Sequence, residues 1–463
     1  MSETDTADRA NPVVDNGASS AAALLKVALD HHQANRLDEA EACYLAILKS
    51  YPDFAPAWIN LGVLMRRQGQ LDAAALYLKH SVGLLPEDGR CWSNLGNALR
   101  DLGQLEEAEH AHRQSLALSP DSPETHYNLG LCLRERGDIA AAITSFETAA
   151  AKGYDKPDLA WDMALTLLLS GDLKQGFAQY EARWMLPQSP PQHQDIPGWD
   201  GNDLDGTLLV YAEQGLGDSI QFCRYLPLLR GKAKRVVFEC QPPLCRLLRA
   251  SPALAGIDIA ARQHEALPRA DAAVALLSLP RFCGTVDDRT IPADIPYLMP
   301  PTTNIPALAA EKRHRRVGLA WAGKPSHNND RNRSLPLSSL SPLLDCPDTD
   351  FFSFQMGAAA GQIAALHLSP LLPDLSPHIR DFADTAALIR DMDLIITVDT
   401  SIAHLTGALG KPVWVILPHA PDWRWQLGRD DSPWYPTMTL FRQEKPGDRD
   451  GAIRRVRDQL TAF

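Results

Sequence analysis

From Trp58 onward, apolar and small residues return at one fixed interval. Trp58, Leu61 and Gly62 are followed by Gly69, Ala74 and Pro86, and 34 positions later stand Trp92, Leu95, Gly96, Gly103, Ala108 and Pro120. A further 34 positions bring His126, Leu129, Gly130, Gly137, Ala142 and Phe146. Within each unit the apolar positions keep helical spacing on either side of a glycine, which predicts two helices that meet over small residues and stop at a proline. An earlier copy fits from Ala21 to Pro52 through Leu24, Ala28, Ala40 and Tyr44. A later one starts at Asp158, runs through Met163, Gly171 and Tyr180, and fades toward Trp184.

This is the tetratricopeptide pattern. Four units and a partial fifth, over 21–187, suffice to bury a core shared between neighbours. Such arrays present a concave surface to a peptide or protein. They also serve as spacers or dimerisation arms, so self-association is a second expected use.

After Pro187 the pattern lapses into PQSPPQHQDIPGWDGNDLDG, a proline-rich polar stretch that predicts a linker or docking segment at 188–206. Beyond it, short apolar runs alternate with helical spacing. TLLVYAE and RVVFEC are predicted strands of one set, with SIQFCRYLPLLR and PPLCRLLRAS as helices and DAAVALLSL as a further apolar stretch. VGLAWAG, FFSFQM, LIITV and PVWVILP form a second, with a serine-capped SSLSPLL, then ADTAALIRDM and the closing GAIRRVRDQLTAF as helices. The alternation predicts two parallel-sheet domains, 207–310 and 311–463, facing each other across a ligand cleft. The expected fold class is α + α/β, a repeat solenoid followed by two Rossmann-like domains.

Composition narrows the reading. A chain of 463 residues exceeds one core, and at ~150 residues per domain about three are expected. A net charge of −12 argues against a general nucleic-acid binder, which needs a basic face, while leaving room for a local basic pocket. The first 20 residues are polar and acidic without the basic-then-apolar order of a signal peptide, and predict a disordered leader. No apolar run approaches the ~18 residues of a membrane span. The eight cysteines are scattered, with no CxxC pair and no zinc spacing, as expected of reduced thiols in a cytoplasmic protein.

Three polar turns fall at predicted strand ends. In the first, Glu213-Gln214-Gly215-Leu216-Gly217-Asp218, glycines allow a substrate to approach the backbone and Asp218 can accept a proton from an attacking hydroxyl. Asp218 can equally cap the helix that begins there. The second, AWAGKPSHNNDRNRSLPL, crowds Lys324, His327, Asn329, Asp330, Arg331 and Arg333 into one loop, suited to a diphosphate or simply a solvated polar loop. In the third, between LIITV and a helix, Asp399 can hold sugar hydroxyls, Thr400 and Ser401 can cap the helix, and its free N–H groups suit a phosphate. His404 stands one turn further on, placed to reach a phosphate oxygen or to be structural.

GLGDSIQ and VDTSIAHLTGALGKP, in that order around a strand and a basic loop, resemble the ADP-heptose glycosyltransferases of the lipopolysaccharide heptosyltransferase family. With the repeats in front, the chain resembles bacterial tetratricopeptide-repeat glycosyltransferases, which share their layout in a general way with protein O-GlcNAc transferases. The resemblance implies a GT-B fold in which the second domain holds the nucleotide sugar and the acceptor enters from the first. It implies Asp218 as general base, with Gln214, Gly215 and Gly217 along the acceptor's approach. Lys324, Asn329, Arg331, Arg333, Asp399, Thr400, Ser401 and His404 are implied as donor-binding residues, Arg333 neutralising the leaving diphosphate in place of a metal. No cofactor beyond the nucleotide sugar is expected. Heptosyltransferases lack the repeats, which favours a protein hydroxyl over lipopolysaccharide as acceptor. A glycan or lipid-linked acceptor, or a non-catalytic scaffold, are the other readings. PDWRWQLGRDDSPWYP (421–436) can stack on a base or sugar ring or belong to the core.

Overall fold

The computed structural model describes residues 16–302, 314–326 and 329–463. The chain divides into two compact units, one ending at Tyr154 and one spanning Asp155–Phe463.

The first unit is four helix pairs: Asn16–Gln33 with Leu37–Ser50, Ala55–Arg67 with Leu71–Leu84, Gly89–Asp101 with Leu105–Leu118, and Pro123–Arg136 with Ile139–Ala151. The recurring glycines have a packing reason. A Cβ on Gly62, Gly96 or Gly130 would lie 2.6 Å from Leu78, His112 or Phe146 respectively, each the inward side chain of the partner helix. The recurring prolines have another use. Trp58 Nε1 donates to the Pro52 carbonyl (2.6 Å) and Trp92 Nε1 to that of Pro86 (2.9 Å), and the His126 ring bonds the Pro120 carbonyl (3.0 Å). The first helix starts at Asn16, so 16–20, expected in the leader, are helical; the rest of that leader, 1–15, lies outside the described residues.

The second unit opens with a helix pair of the same kind, Pro157–Ser170 and Leu173–Gln179, followed by a tight turn at Tyr180–Met185. This partial fifth repeat packs on the α/β region: Phe177 and Tyr180 meet the Trp423 ring at 5.8 and 6.0 Å. The stretch after it docks on a sheet edge, with Trp199 N donating to Ala273 O (2.9 Å) and Ala273 N to Pro197 O (2.8 Å).

Two all-parallel sheets follow. The first has β1 (Leu204–Tyr211), β2 (Ala233–Cys240), β3 (Ile257–Ala261) and β4 (Ala272–Ala275) in the order 3-2-1-4. The second has β5 (Arg315–Ala320), β6 (Thr349–Ser353), β7 (Leu394–Val398), β8 (Val413–Leu417) and β9 (Met438–Arg442) in the order 6-5-7-8-9. β3 and β9 were not among the predicted strands. Both are edge strands, and half-exposed residues such as Asp258 and Thr439 break the apolar run that marks a covered strand. β7 and β8, central and buried throughout, carry that run in full. The predicted serine-capped helix is instead two short turns, Leu337–Leu340 and Ser341–Leu343, with no side-chain cap.

Each sheet reverses its strand order once, between β1 and β4 in the first and between β5 and β7 in the second. Open α/β sheets bind ligands beyond the carboxyl ends of the strands at such a reversal. The three polar turns follow β1, β5 and β7, so all three sit at the two reversals.

Candidate functional site

At the first reversal, β1 ends in the turn Glu213–Gly215 and the helix Leu216–Phe222 begins. Asp218 closes its first turn, Oδ2 accepting from Gly215 N at 2.8 Å, so the capping role is realised. Oδ1 accepts from Arg424 Nη2 at 2.5 Å. Gln214 is fixed on both sides: its Nε2 donates to Tyr180 Oη (3.0 Å), and its carbonyl accepts from Gln241 Nε2 (2.7 Å). At Gly217 the close approach is made by the protein itself. A Cβ there would stand 3.0 Å from His404 Cδ2 and 3.5 Å from Ser401 Cα. This glycine lets the helix after β1 pack against the helix after β7, which brings the two reversals together.

Glu213 is the acid that sequence reasoning quoted without assigning a role. Its side chain is only 3% exposed, Oε1 accepting from Arg183 Nη2 (3.2 Å) and, at a long 3.4 Å, from Leu277 N. Among the described residues, Oε2 is buried without a hydrogen-bond partner. Burial first, with the charge of Asp218 adding and Arg183 opposing, pushes the carboxyl up to about 7. Arg183, from the turn after the partial repeat, also donates to Glu181 Oε1 (2.8 Å) and Ser278 Oγ (2.7 Å) and lies 4.1 Å from the Trp184 ring.

At the second reversal the loop after β5 leaves Lys324 and Arg331 exposed. Asn329 precedes the short turn Asp330–Arg333 and accepts from Asn332 Nδ2 (2.7 Å). Arg333 is drawn in, its side chain 14% exposed and its Nε only 3.5 Å from Asp330 Oδ1. Gly323 makes that inward turn possible, because a Cβ there would lie 2.6 Å from Arg333 Nη2. His327 lies outside the described residues.

After β7, Thr400 is the N-cap residue of the helix Ser401–Ala408, yet neither it nor Ser401 supplies the expected cap. The Thr400 hydroxyl pairs with Thr397 Oγ1 at 3.1 Å, and the helix has no side-chain cap bond. Its first N–H groups therefore keep the anion-binding character of a helix start. The Asp399 carboxyl is raised by burial first and by Asp422 second, with the Trp425 indole, Arg333 and Arg424 opposing. His404 is buried, stacks on Trp425 at 5.2 Å and shares a hydrogen bond with Tyr435 Oη (3.1 Å). Burial, helped by Arg424 and Arg224, lowers its pKa well below the ordinary 6.5 and keeps the ring neutral.

Sequence reasoning missed Arg424. It follows β8, inside the tryptophan-rich segment whose Trp423, Trp425 and Trp434 are all buried. The available signal was an arginine between two tryptophans, since a charge in a core segment must find partners. Among the described residues, no group of three or more His, Cys, Asp or Glu side chains could hold a metal, and no helix is long and apolar enough to cross a membrane.

Residues 20–88 and 93–157 match the tetratricopeptide repeat family, and residues 360–445 match glycosyltransferase family 9 (heptosyltransferase). The second match takes in Asp399 to His404 and Asp422 to Arg424; Asp218 and Arg333 lie outside it. The chain is 27% identical over 326 residues to protein FlbA of Caulobacter vibrioides, covering 62% of this chain and 52% of FlbA. It thus spans about half the length of that curated relative. Similar solved structures include PilF of Pseudomonas aeruginosa, at 19% identity, 39% of this chain, 80% of that one and a TM-score of 0.34. Another is PilW, titled a type IV pilus biogenesis factor, at 20% identity, 37% and 80% coverage and a TM-score of 0.35. A third is a thermophilic tetratricopeptide protein of Thermus thermophilus, at 22% identity, 38% and 94% coverage and a TM-score of 0.33. The chain joins tetratricopeptide repeats on its N-terminal side to a glycosyltransferase family 9 (heptosyltransferase) domain on its C-terminal side.

Proposed function

We propose that the protein is a cytoplasmic GT-B-type glycosyltransferase that moves a sugar from a nucleotide-diphosphate donor, ADP-heptose-like by family, to a protein hydroxyl captured by the repeats. One observation carries this reading: an uncapped helix start with Arg333 beside it and a carboxylate, Asp218, stand at two strand-order reversals packed together. The diphosphate lies on the Ser401 helix start and Arg333, and Asp399 takes sugar hydroxyls, with Thr400 and the neutral His404 shaping that side. Lys324, Asn329 and Arg331 line the outer loop. Asp218 keeps free lone pairs on both oxygens and accepts the acceptor's proton as the acceptor oxygen attacks the anomeric carbon. The bond from that carbon to the diphosphate oxygen breaks, and its electron pair leaves with the diphosphate. Arg333 and the helix N–H groups stabilise that charge, the work a metal does in other transferases. Gln214, held from both sides, lies along the acceptor's approach.

The test is thermal melting with ADP, UDP, GDP and CMP sugars, then incorporation of labelled sugar from the stabilising donor into lysate by wild type and Asp218→Asn. Stabilisation by one nucleotide family, with protease-sensitive incorporation lost in Asp218→Asn, is the expected result. No stabilisation at millimolar donor would favour a scaffold. Incorporation only into protease-resistant material would move the acceptor to a glycan or lipid.

A further inference from the structure

Arg424 is 7% exposed, and three of its nitrogens are bonded to three different residues. Nη2 donates to Asp218 Oδ1 (2.5 Å), Nη1 to Asp422 Oδ1 (2.8 Å) and Nε to Gln221 Oε1 (3.0 Å), while the guanidinium lies 4.3 Å from the Trp423 ring centre. Burying a guanidinium is costly unless it is fully paired, and Asp422 two residues before it already supplies one carboxylate. Its second carboxylate, Asp218, comes from the other side of the cleft, 206 residues earlier in the chain. A clamp between the two halves does not require this bond. Arg246 already bridges them through Asp381 (2.6 Å) and Asp384 (2.5 Å), and Arg224 Nη1 donates to the Trp434 carbonyl (2.7 Å).

We propose that Arg424, itself anchored on Asp422 and Gln221, is the positioning residue of the transfer step, holding the Asp218 carboxylate at the acceptor hydroxyl. This rests on the glycosyltransferase reading above. Arginine is required by shape, because a planar fork reaches three acceptors in fixed directions where an ammonium cannot. Arg424 is buried with its donors turned onto Asp218, Asp422 and Gln221, so its effect on rate runs through Asp218.

A residue that acts only through another gives a non-additive double variant. The experiment measures nucleoside diphosphate release during transfer, donor affinity and melting for wild type, Asp218→Asn, Arg424→Gln, Arg424→Lys and the Asp218→Asn/Arg424→Gln double variant. We expect Arg424→Gln to lose about 100-fold in turnover with donor affinity within about threefold, Arg424→Lys to recover about tenfold of that, and the double variant to be no slower than Asp218→Asn alone. If Arg424→Gln does not fold, Asp422→Asn takes its place, with about a tenfold loss that disappears in the Asp218→Asn background. Losses that multiply in the double variant, or donor affinity falling in step with turnover, would overturn the assignment while leaving the transferase intact. A wild type that neither binds nor turns over any nucleotide sugar would overturn both.

Discussion

The two strand-order reversals face each other with opposite degrees of internal satisfaction. At the first, most of the polar groups are paired: Asp218 with Arg424 and Gly215 N, Gln214 with Tyr180 and Gln241, and Glu213 through Oε1 with Arg183. At the second, the helix start has no side-chain cap, and Arg333 Nε lies a long 3.5 Å from Asp330 Oδ1. A base must be held in place before its substrate arrives, whereas a diphosphate site needs donors left for the ligand. Under the proposed transfer, this difference suits the first reversal to the acceptor and the second to the donor.

The largest expected effect separates the two directly. Asp218→Asn should lower transfer by on the order of 10²–10⁴, the range for losing a general base, while the donor still raises the melting temperature. Loss of both together would erase the distinction.

Next is the buried acid of the first side. Glu213 is raised to about 7 in the fold from an ordinary 4.5, so its neutral form stabilises the protein fully below pH 4.5. That contribution drains as pH rises through 7. Relative to Glu213→Gln, wild type should lose on the order of 3 kcal/mol between those limits, read as a growing gap in urea midpoint. A constant gap would mean that Glu213 is ionised throughout.

On the donor side, Arg333→Ala should weaken nucleotide-sugar binding by roughly 10–100-fold, the worth of charge-assisted hydrogen bonds, and also lower turnover at saturating donor, because the same arginine meets the leaving-group charge. Gly323→Ala sharpens this, because its new methyl would meet Arg333 Nη2 at 2.6 Å and push the guanidinium aside. A loss of about threefold to tenfold in donor affinity by titration calorimetry is expected. Smallest of all, the proposed role of Arg333 and the helix start predicts that excess EDTA leaves turnover within about twofold. A collapse restored by a divalent cation would assign that work to a metal.

What the sequence revealed follows from where each signal is stored. The repeats were legible because Gly62, Gly96 and Gly130 answer one steric need at one interval, and β7 and β8 because burial on both faces removes polar residues. Edge strands β3 and β9 lack that pressure. Asp399, Thr400 and Ser401 were readable as a strand-to-helix turn. The capping bond was not, since the Thr400 hydroxyl turns to Thr397 instead. Arg424 was hidden because its partner is remote in the chain, and Glu213 because burial, not spacing, changes its chemistry.

The most direct test of the division between the two sides is titration calorimetry of the preferred nucleoside diphosphate into wild type, Asp218→Asn and Arg333→Ala. Equal affinity for the first two and at least about a tenfold loss in the third are predicted. Equal weakening in Asp218→Asn and Arg333→Ala, or none in either, would contradict that division.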